Sequence, residues 1–205
     1  MAGPWVGVDV GGRRKGFDVA VLDEDLGVEL RKFDGDDAVV AAADAIAWLR
    51  PAIVAIDAPN SWAEPGQGSR TCERVFASER ICGIRYTPAE ETAESLRRTY
   101  YGWIDHGLEL WDALRQRDVA TIECFPTASW TRWFGPRGTR SRAAWSSDAM
   151  LELTNGRVQF ARWPANQDQR DAVAAAFTAY QSERGGAVDA FGTLTVPASG
   201  SRPLT

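Results

Sequence analysis

The chain has 205 residues, a formal charge of −5 and a hydrophobic content of 44%, with a pI of about 5.0. This length suits one domain with sizeable insertions, the apolar content supports a packed core, and the acidic balance speaks against a protein that coats nucleic acid by bulk charge. No apolar run approaches bilayer length and no basic-then-apolar leader precedes Trp5, so a soluble, cytoplasmic protein without a membrane partner is expected.

Residues 4–10 alternate as a strand that Gly11 and Gly12 close. "GFDVAVLD" (16–23) reads as a second strand and "VELRKF" (28–33) as a third, joined by the turn "EDLG". Such short connections predict an antiparallel meander. "DDAVVAAADAIAWLR" (36–50) has helical spacing, with Asp36 as N-cap and Pro51 as the stop. "AIVAID" (52–57) is a short continuous apolar run after a helix, which fits a buried parallel strand. The opening therefore reads β-β-β-α-β. Residues 58–118 form a first insertion, with a short helix near 70–80 and a long one over 89–117. "VATIECF" (119–125) gives the next strand, ended by Pro126. Residues 127–165 form a second insertion with a helix near 143–154, and "NQDQRDAVAAAFTAYQSERG" (166–185) is the clearest helix. A single domain over 1–197 and a flexible tail at 198–205 are expected.

Two of these strands run straight into an aspartate, in "VGVDVGG" and in "VAIDAPN". In a β-β-β-α-β unit the first strand and the strand after the helix are neighbours, about 4.8 Å apart. Asp9 and Asp57 should then sit side by side at one sheet edge. Two such carboxylates repel, which raises a pKa or demands a cation, and hard oxygen donors suit Mg²⁺ or Mn²⁺. Asp168 and Asp171 share one face near the start of the late helix. Its run of small residues allows a close approach to the sheet, while capping and dipole compensation are the plainer role for the two acids. Glu123 in "TIECFP" is costly to bury unless paired or metal-bound, and otherwise points to water from an edge strand. Asp44 lies buried in an alanine run and is not a candidate. Cys72, Cys82, Cys124 and the single His106 lack zinc spacing, so the cysteines read as reduced thiols, mostly buried.

Positive charge gathers in two places. Arg70, Arg74, Arg80 and Arg85 follow the Asp57 strand and could close over the acids and pair with phosphate oxygens; Arg13, Arg14 and Lys15 in the first turn point the same way. Arg132, Arg137, Arg140 and Arg142 are interleaved with Trp130, Trp133 and Trp145. That mixture suits phosphate contact with base stacking, or equally a solvated insertion whose tryptophans face the core.

In order, "GVDVGG", "GFDVAVLD", "VAIDAPNSW", "RTCER", "RICGIR", "IECFPTASW" and "DQRDAVAAAFTA" resemble a family of predicted nucleases, domain of unknown function four-two-nine, from about Val6 to about Pro197. The resemblance implies a ribonuclease H-like α/β fold, a five-stranded mixed sheet with helices on both faces and helical insertions. It further implies a divalent-metal nuclease or phosphodiesterase acting on a nucleic acid or phosphorylated substrate. Asp9, Asp57 and Asp171, with Asp168 beside it, would be the metal ligands, and Glu123 belongs to the family's own strand motif. Arg70, Arg74, Arg80, Arg85 and Arg137 are the candidate substrate contacts. Two other classes are weighed. "DVGG" also resembles the first phosphate loop of actin-like and sugar kinases, but the second phosphate loop and adenosine motif are missing. A non-catalytic binding or scaffold protein would keep the acids as remnants.

Overall fold

The computed structural model describes residues 3–154, 157–186 and 188–204. Its chain order is β1 (Trp5–Val10), β2 (Phe17–Leu22), β3 (Gly27–Phe33), α1 (Ala38–Trp48), β4 (Ile53–Asp57), α2 (Thr71–Ser78) and α3 (Glu90–Arg115). There follow β5 (Thr121–Cys124), α4 (Pro126–Phe134), α5 (Arg142–Thr154), β6 (Gln159–Phe160), α6 (Gln167–Glu183), β7 (Val188–Phe191) and β8 (Leu194–Pro197).

One sheet holds the strands in the order β6-β3-β2-β1-β4-β5-β8-β7. β1, β2 and β3 form the expected antiparallel meander, and β4 and β5 add in parallel beside β1. The run β3-β2-β1-β4-β5 supplies the expected five-stranded mixed sheet. The sheet has eight strands, not five: β6 extends one edge, and β8 with its hairpin partner β7 extends the other. β5 is therefore interior, not an edge strand.

Strand alternation divides the core between the two faces. Trp5, Ala20, Leu22, Ala55 and Cys124 face α6 and its buried Ala172–Phe177 segment. Val6, Val8, Phe17, Val19, Val54 and Ile56 face α1 and α3. Burying each such aliphatic side chain contributes about 1.5–3 kcal/mol. β1 meets α6 through Gly7, where a Cβ would lie 2.1 Å from both the Ala172 carbonyl oxygen and the Ala176 nitrogen. Only a residue without a side chain lets α6 come this close, and that approach carries the start of α6 to the end of β1.

The second insertion departs most from expectation. Pro126 does not merely end a strand; it occupies the first turn of α4, where its missing N–H costs nothing. Trp130, Trp133 and Trp145 are 0%, 3% and 2% exposed, so they are core residues and not stacking platforms. The residue capping α1 is Asp37, not Asp36, and its side chain makes no capping bond. Asp44 is not buried: its side chain is 63% exposed and pairs with Arg117 at 2.7 Å. Described residues of the tail contact the body of the domain. Gln181 Nε2 donates to the Arg202 carbonyl, Arg202 Nη1 donates to the Trp133 carbonyl at 3.3 Å, and Leu204 packs on the core; Thr205, the last residue of the expected tail, lies outside the described residues. No described helix is long and apolar enough to cross a membrane.

Candidate metal and phosphate site

Register brings the acids together. Asp9 and Asp57 are direct partners on the parallel strands β1 and β4. Across the antiparallel pair Asp9 faces Asp18, and Asp18 faces Lys32. One row across the sheet thus reads Lys32, Asp18, Asp9, Asp57, all on the α6 face. α6 then supplies Asp168 from its first turn, after the Asn166 side chain caps the helix by accepting from the Gln169 N–H at 2.8 Å. Asp171 follows one turn later.

The acids differ in their partners. Asp171 is buried and fully engaged: Oδ2 accepts from Arg142 Nη2 at 2.7 Å, and Oδ1 accepts from Gln167 Nε2 at 2.9 Å and Trp130 Nε1 at 3.3 Å. Asp168 accepts from Lys15 Nζ at 2.8 Å. Asp18, 3% exposed, accepts from Lys32 Nζ at 2.6 Å through Oδ2. Asp9 and Asp57 are half-buried, and among the described residues neither has a hydrogen bond or ion pair. Their electrostatics follow. Burial, then the charges of Asp57, Asp171, Asp168 and Asp18, push Asp9 well above the usual carboxylate range. Burial and Asp171 do the same to Asp57, against the pull of Arg142. Burial also raises Asp171, although Arg142, Gln167 and Trp130 all favour its charged form.

The oxygen-only donor set fits a hard divalent cation. One carboxylate oxygen each from Asp9, Asp18 and Asp168 lies within 4.8 Å of the other two, a spacing one ion can bridge at about 2.0–2.6 Å per ligand. Asp57 also lines a cavity of 590 Å³ between β4, β5, the loop after α2 and the α4–α5 segment. Arg85, Arg137 and Arg142 stand on its walls.

Glu123 lies apart from the row. Its parallel partner is Ile56, one residue before Asp57, so alternation turns it to the opposite face. There Arg70 forks onto it, Nη2 to Oε1 at 2.5 Å and Nη1 to Oε2 at 2.8 Å, while Arg70 Nε donates to Glu73 at 2.9 Å. Burial alone would lower the Arg70 pKa, but the bonds and charge of Glu123, with the charge of Glu73, hold it above the ordinary value. Arg70 is therefore an internal ion-pair partner at the start of α2. Arg74 folds back on Ser69 and Thr71. Arg80 is exposed in a left-handed conformation, φ 56°. Arg85 reaches the cavity and donates to the Tyr100 hydroxyl at 3.1 Å. Of the arginines expected to contact substrate, Arg85 and Arg137 line the cavity beside Asp57, and Arg70 lines it only as a neutralised pair.

Sequence reasoning missed Asp18 and the specific role of Arg142. The hairpin length did hold a signal for Asp18: with Gly11–Gly16 as the turn, Val10 meets Phe17 and Asp9 must meet Asp18. His106, buried at 2% exposed, pins that turn; its Nδ1 lies 2.9 Å from the Gly11 carbonyl and its ring stacks on Phe17 at 4.1 Å. Next to it, a Cβ at Gly107 would lie 2.8 Å from that of Ala58, the residue after Asp57. All three cysteines are free; Cys72 and Cys124 are buried, and burial pushes the half-buried Cys82 thiol up to about 11.

Two solved structures are similar over most of the chain. The Thermus thermophilus RuvC structure matches with a TM-score of 0.44 and 14% identity, over 88% of this chain and 95% of that one. T. thermophilus RuvC in complex with Holliday junction substrate matches with a TM-score of 0.49 and 14% identity, over 88% and 96%. Among curated proteins none matches. The model of the family described as "Protein of unknown function (DUF429)" matches residues 7–194, a span that includes every acid of the row and of α6, and the chain belongs to that family.

Proposed function

We propose that this chain is a divalent-cation-dependent phosphodiesterase acting on a nucleic acid or a phosphorylated small molecule. The observation that carries the reading is the Asp9–Asp57 pair: adjacent on parallel strands, half-buried, without hydrogen-bond partners among the described residues, and bordered by a cavity lined by four arginines, of which Arg70 is already paired with Glu123. Such a pair is electrostatically costly unless protonated or bound to a cation. Mg²⁺ or Mn²⁺ held there would supply an activated water and neutralise charge on the leaving oxygen. The chain's own residues do the rest. Asp9 and Asp57 would hold the ion, with Asp168 at the helix start beside them. Asp171 keeps Arg142 in place, and Arg142, Arg85 and Arg137 take phosphate oxygens. Glu123 with Arg70 anchors α2. His106 does not act as a base, because its ring is stacked on Phe17 and bonded to a backbone carbonyl.

The cavity volume falls in the range of small-molecule sites, about 300–1,000 Å³. With the net charge of −5, this favours a small phosphorylated substrate or the end of a single strand over a long duplex. The test is purified protein assayed against single-stranded, duplex and branched nucleic acids and against nucleotides, with Mn²⁺, Mg²⁺ or chelator. Turnover should need the ion and fall at least ~100-fold in Asp9→Asn. Turnover indifferent to both ion and substitution rejects the metal reading; ion binding without turnover leaves a binding protein.

A further inference from the structure

The geometry points to Asp18 as a cation ligand in its own right, completing with Asp9 and Asp168 a second cation position on the β2 side of Asp9, separate from the Asp57 side. The inference rests on reading the row of acids as cation ligands, and it adds a residue and a strand that this reading does not use.

Three observations carry it. One carboxylate oxygen from each of Asp9, Asp18 and Asp168 lies within 4.8 Å of the other two. Asp9 and Asp18 are directly opposed on an antiparallel pair, where like charges destabilise a sheet. The third observation is the state of Asp18: it is 3% exposed, Oδ2 is bound to Lys32, and Oδ1 is buried with no hydrogen-bond partner among the described residues. A buried carboxylate oxygen without a donor carries its full desolvation cost. An ion among Asp9, Asp18 and Asp168 removes both costs together.

The lysines give the idea a second handle. Lys32 occupies one oxygen of Asp18, and Lys15 occupies one of Asp168. Both compete with an ion for the same carboxylates, so removing Lys32 should strengthen ion binding, whereas a purely structural Lys32–Asp18 pair would give no such gain.

The experiment is Mn²⁺ titration of the full chain, followed by calorimetry and by the electron paramagnetic resonance signal of free Mn²⁺. Folding of each variant is checked by circular dichroism in chelator. Asp18→Asn should weaken one binding event by about tenfold or more, at least the loss typical of an outer-shell change, and leave the other in place; Asp57→Asn should do the reverse. Lys32→Gln should tighten the event that Asp18→Asn weakens. If Asp18→Asn binds Mn²⁺ as the unaltered chain does, the Asp18 assignment is overturned while the Asp9–Asp57 reading survives. No Mn²⁺ binding by the unaltered chain overturns both. Should Asp18→Asn fail to fold, Lys32→Gln decides: unchanged or weaker affinity rejects the site.

Discussion

Gly7→Ala tests how the site is assembled without touching an acid. The added Cβ would sit 2.1 Å from two backbone atoms of α6 and 2.7 Å from a third, the Ala175 carbonyl carbon. None of these is a side chain that can swing away. Ordinary contact begins at 3.4 Å, so β1 and α6 must separate by roughly 1 Å, a displacement that costs about 100-fold when it falls on positioned groups. Overpacking of this kind costs about 1–3 kcal/mol, occasionally more. The upper end applies here, because moving α6 loosens the whole buried run Ala172–Phe177. Urea unfolding should show a lowered midpoint, and Mn²⁺ affinity should fall because Asp168 retreats from Asp9. Gly102→Ala is the control of opposite sign. Gly102 lies within α3, where an added methyl group would meet nothing within 4 Å, so alanine there should add about 0.5–1 kcal/mol. A Gly7→Ala protein as stable as the unaltered chain, with unchanged Mn²⁺ affinity, would refute the close-approach argument.

Arg70→Ala leaves Glu123 and Glu73 as uncompensated buried charges and should cost about 3–5 kcal/mol, read by urea denaturation; Asp44→Ala, which removes an exposed pair, should change stability by less than about 1 kcal/mol. The stability of chelator-treated protein should rise as pH falls through the raised carboxylate values, the reverse of common behaviour. Asp9, Asp57 and Asp171 are raised by burial and by one another, so the stability they contribute is full below their unfolded value near 3.8 and is lost as pH rises through the raised folded values. Melting curves across pH check this, and Asp9→Asn should flatten the slope. Glu29, lowered beside Arg31, works in the opposite direction and only near and below pH 4.5. Arg142→Gln removes a charge from the cavity wall and from Asp171; if phosphate docks there, KM should rise about tenfold or more, the scale of a lost charge-assisted bond.

The parts of the fold legible in the sequence are those governed by local pattern. Alternation exposed β1, β2 and β3, helical spacing exposed α1 and α6, and an acid closing an apolar strand singled out Asp9 and Asp57. Parity across distant strands was not legible. Whether Glu123 joins Asp57 or turns away depends on the β4–β5 register, and more than sixty residues separate the two strands, so no turn sets it. Two local signals were there to be used. "PTASWTRWF" places Trp130, Trp133 and Phe134 three and four apart behind a proline at a helix start, and "VDAFGTLTVP" is two short alternating runs around Gly192, φ 64°. Of the two readings open for the arginine- and tryptophan-rich stretch, the core-facing one holds for the tryptophans, and Arg132 pairs with Asp189 and Arg140 with Asp148, so those charges need no phosphate.

α3 works as a caliper on the two strand tips. One jaw is His106 on the Gly11 carbonyl, two residues past Asp9; the other is Gly107 against Ala58, one residue past Asp57. Adjacent positions on one helix thus touch the backbone beside each of the two acids, whose spacing the β1–β4 pairing sets. A shift of α3 would therefore be felt at both strand tips at once.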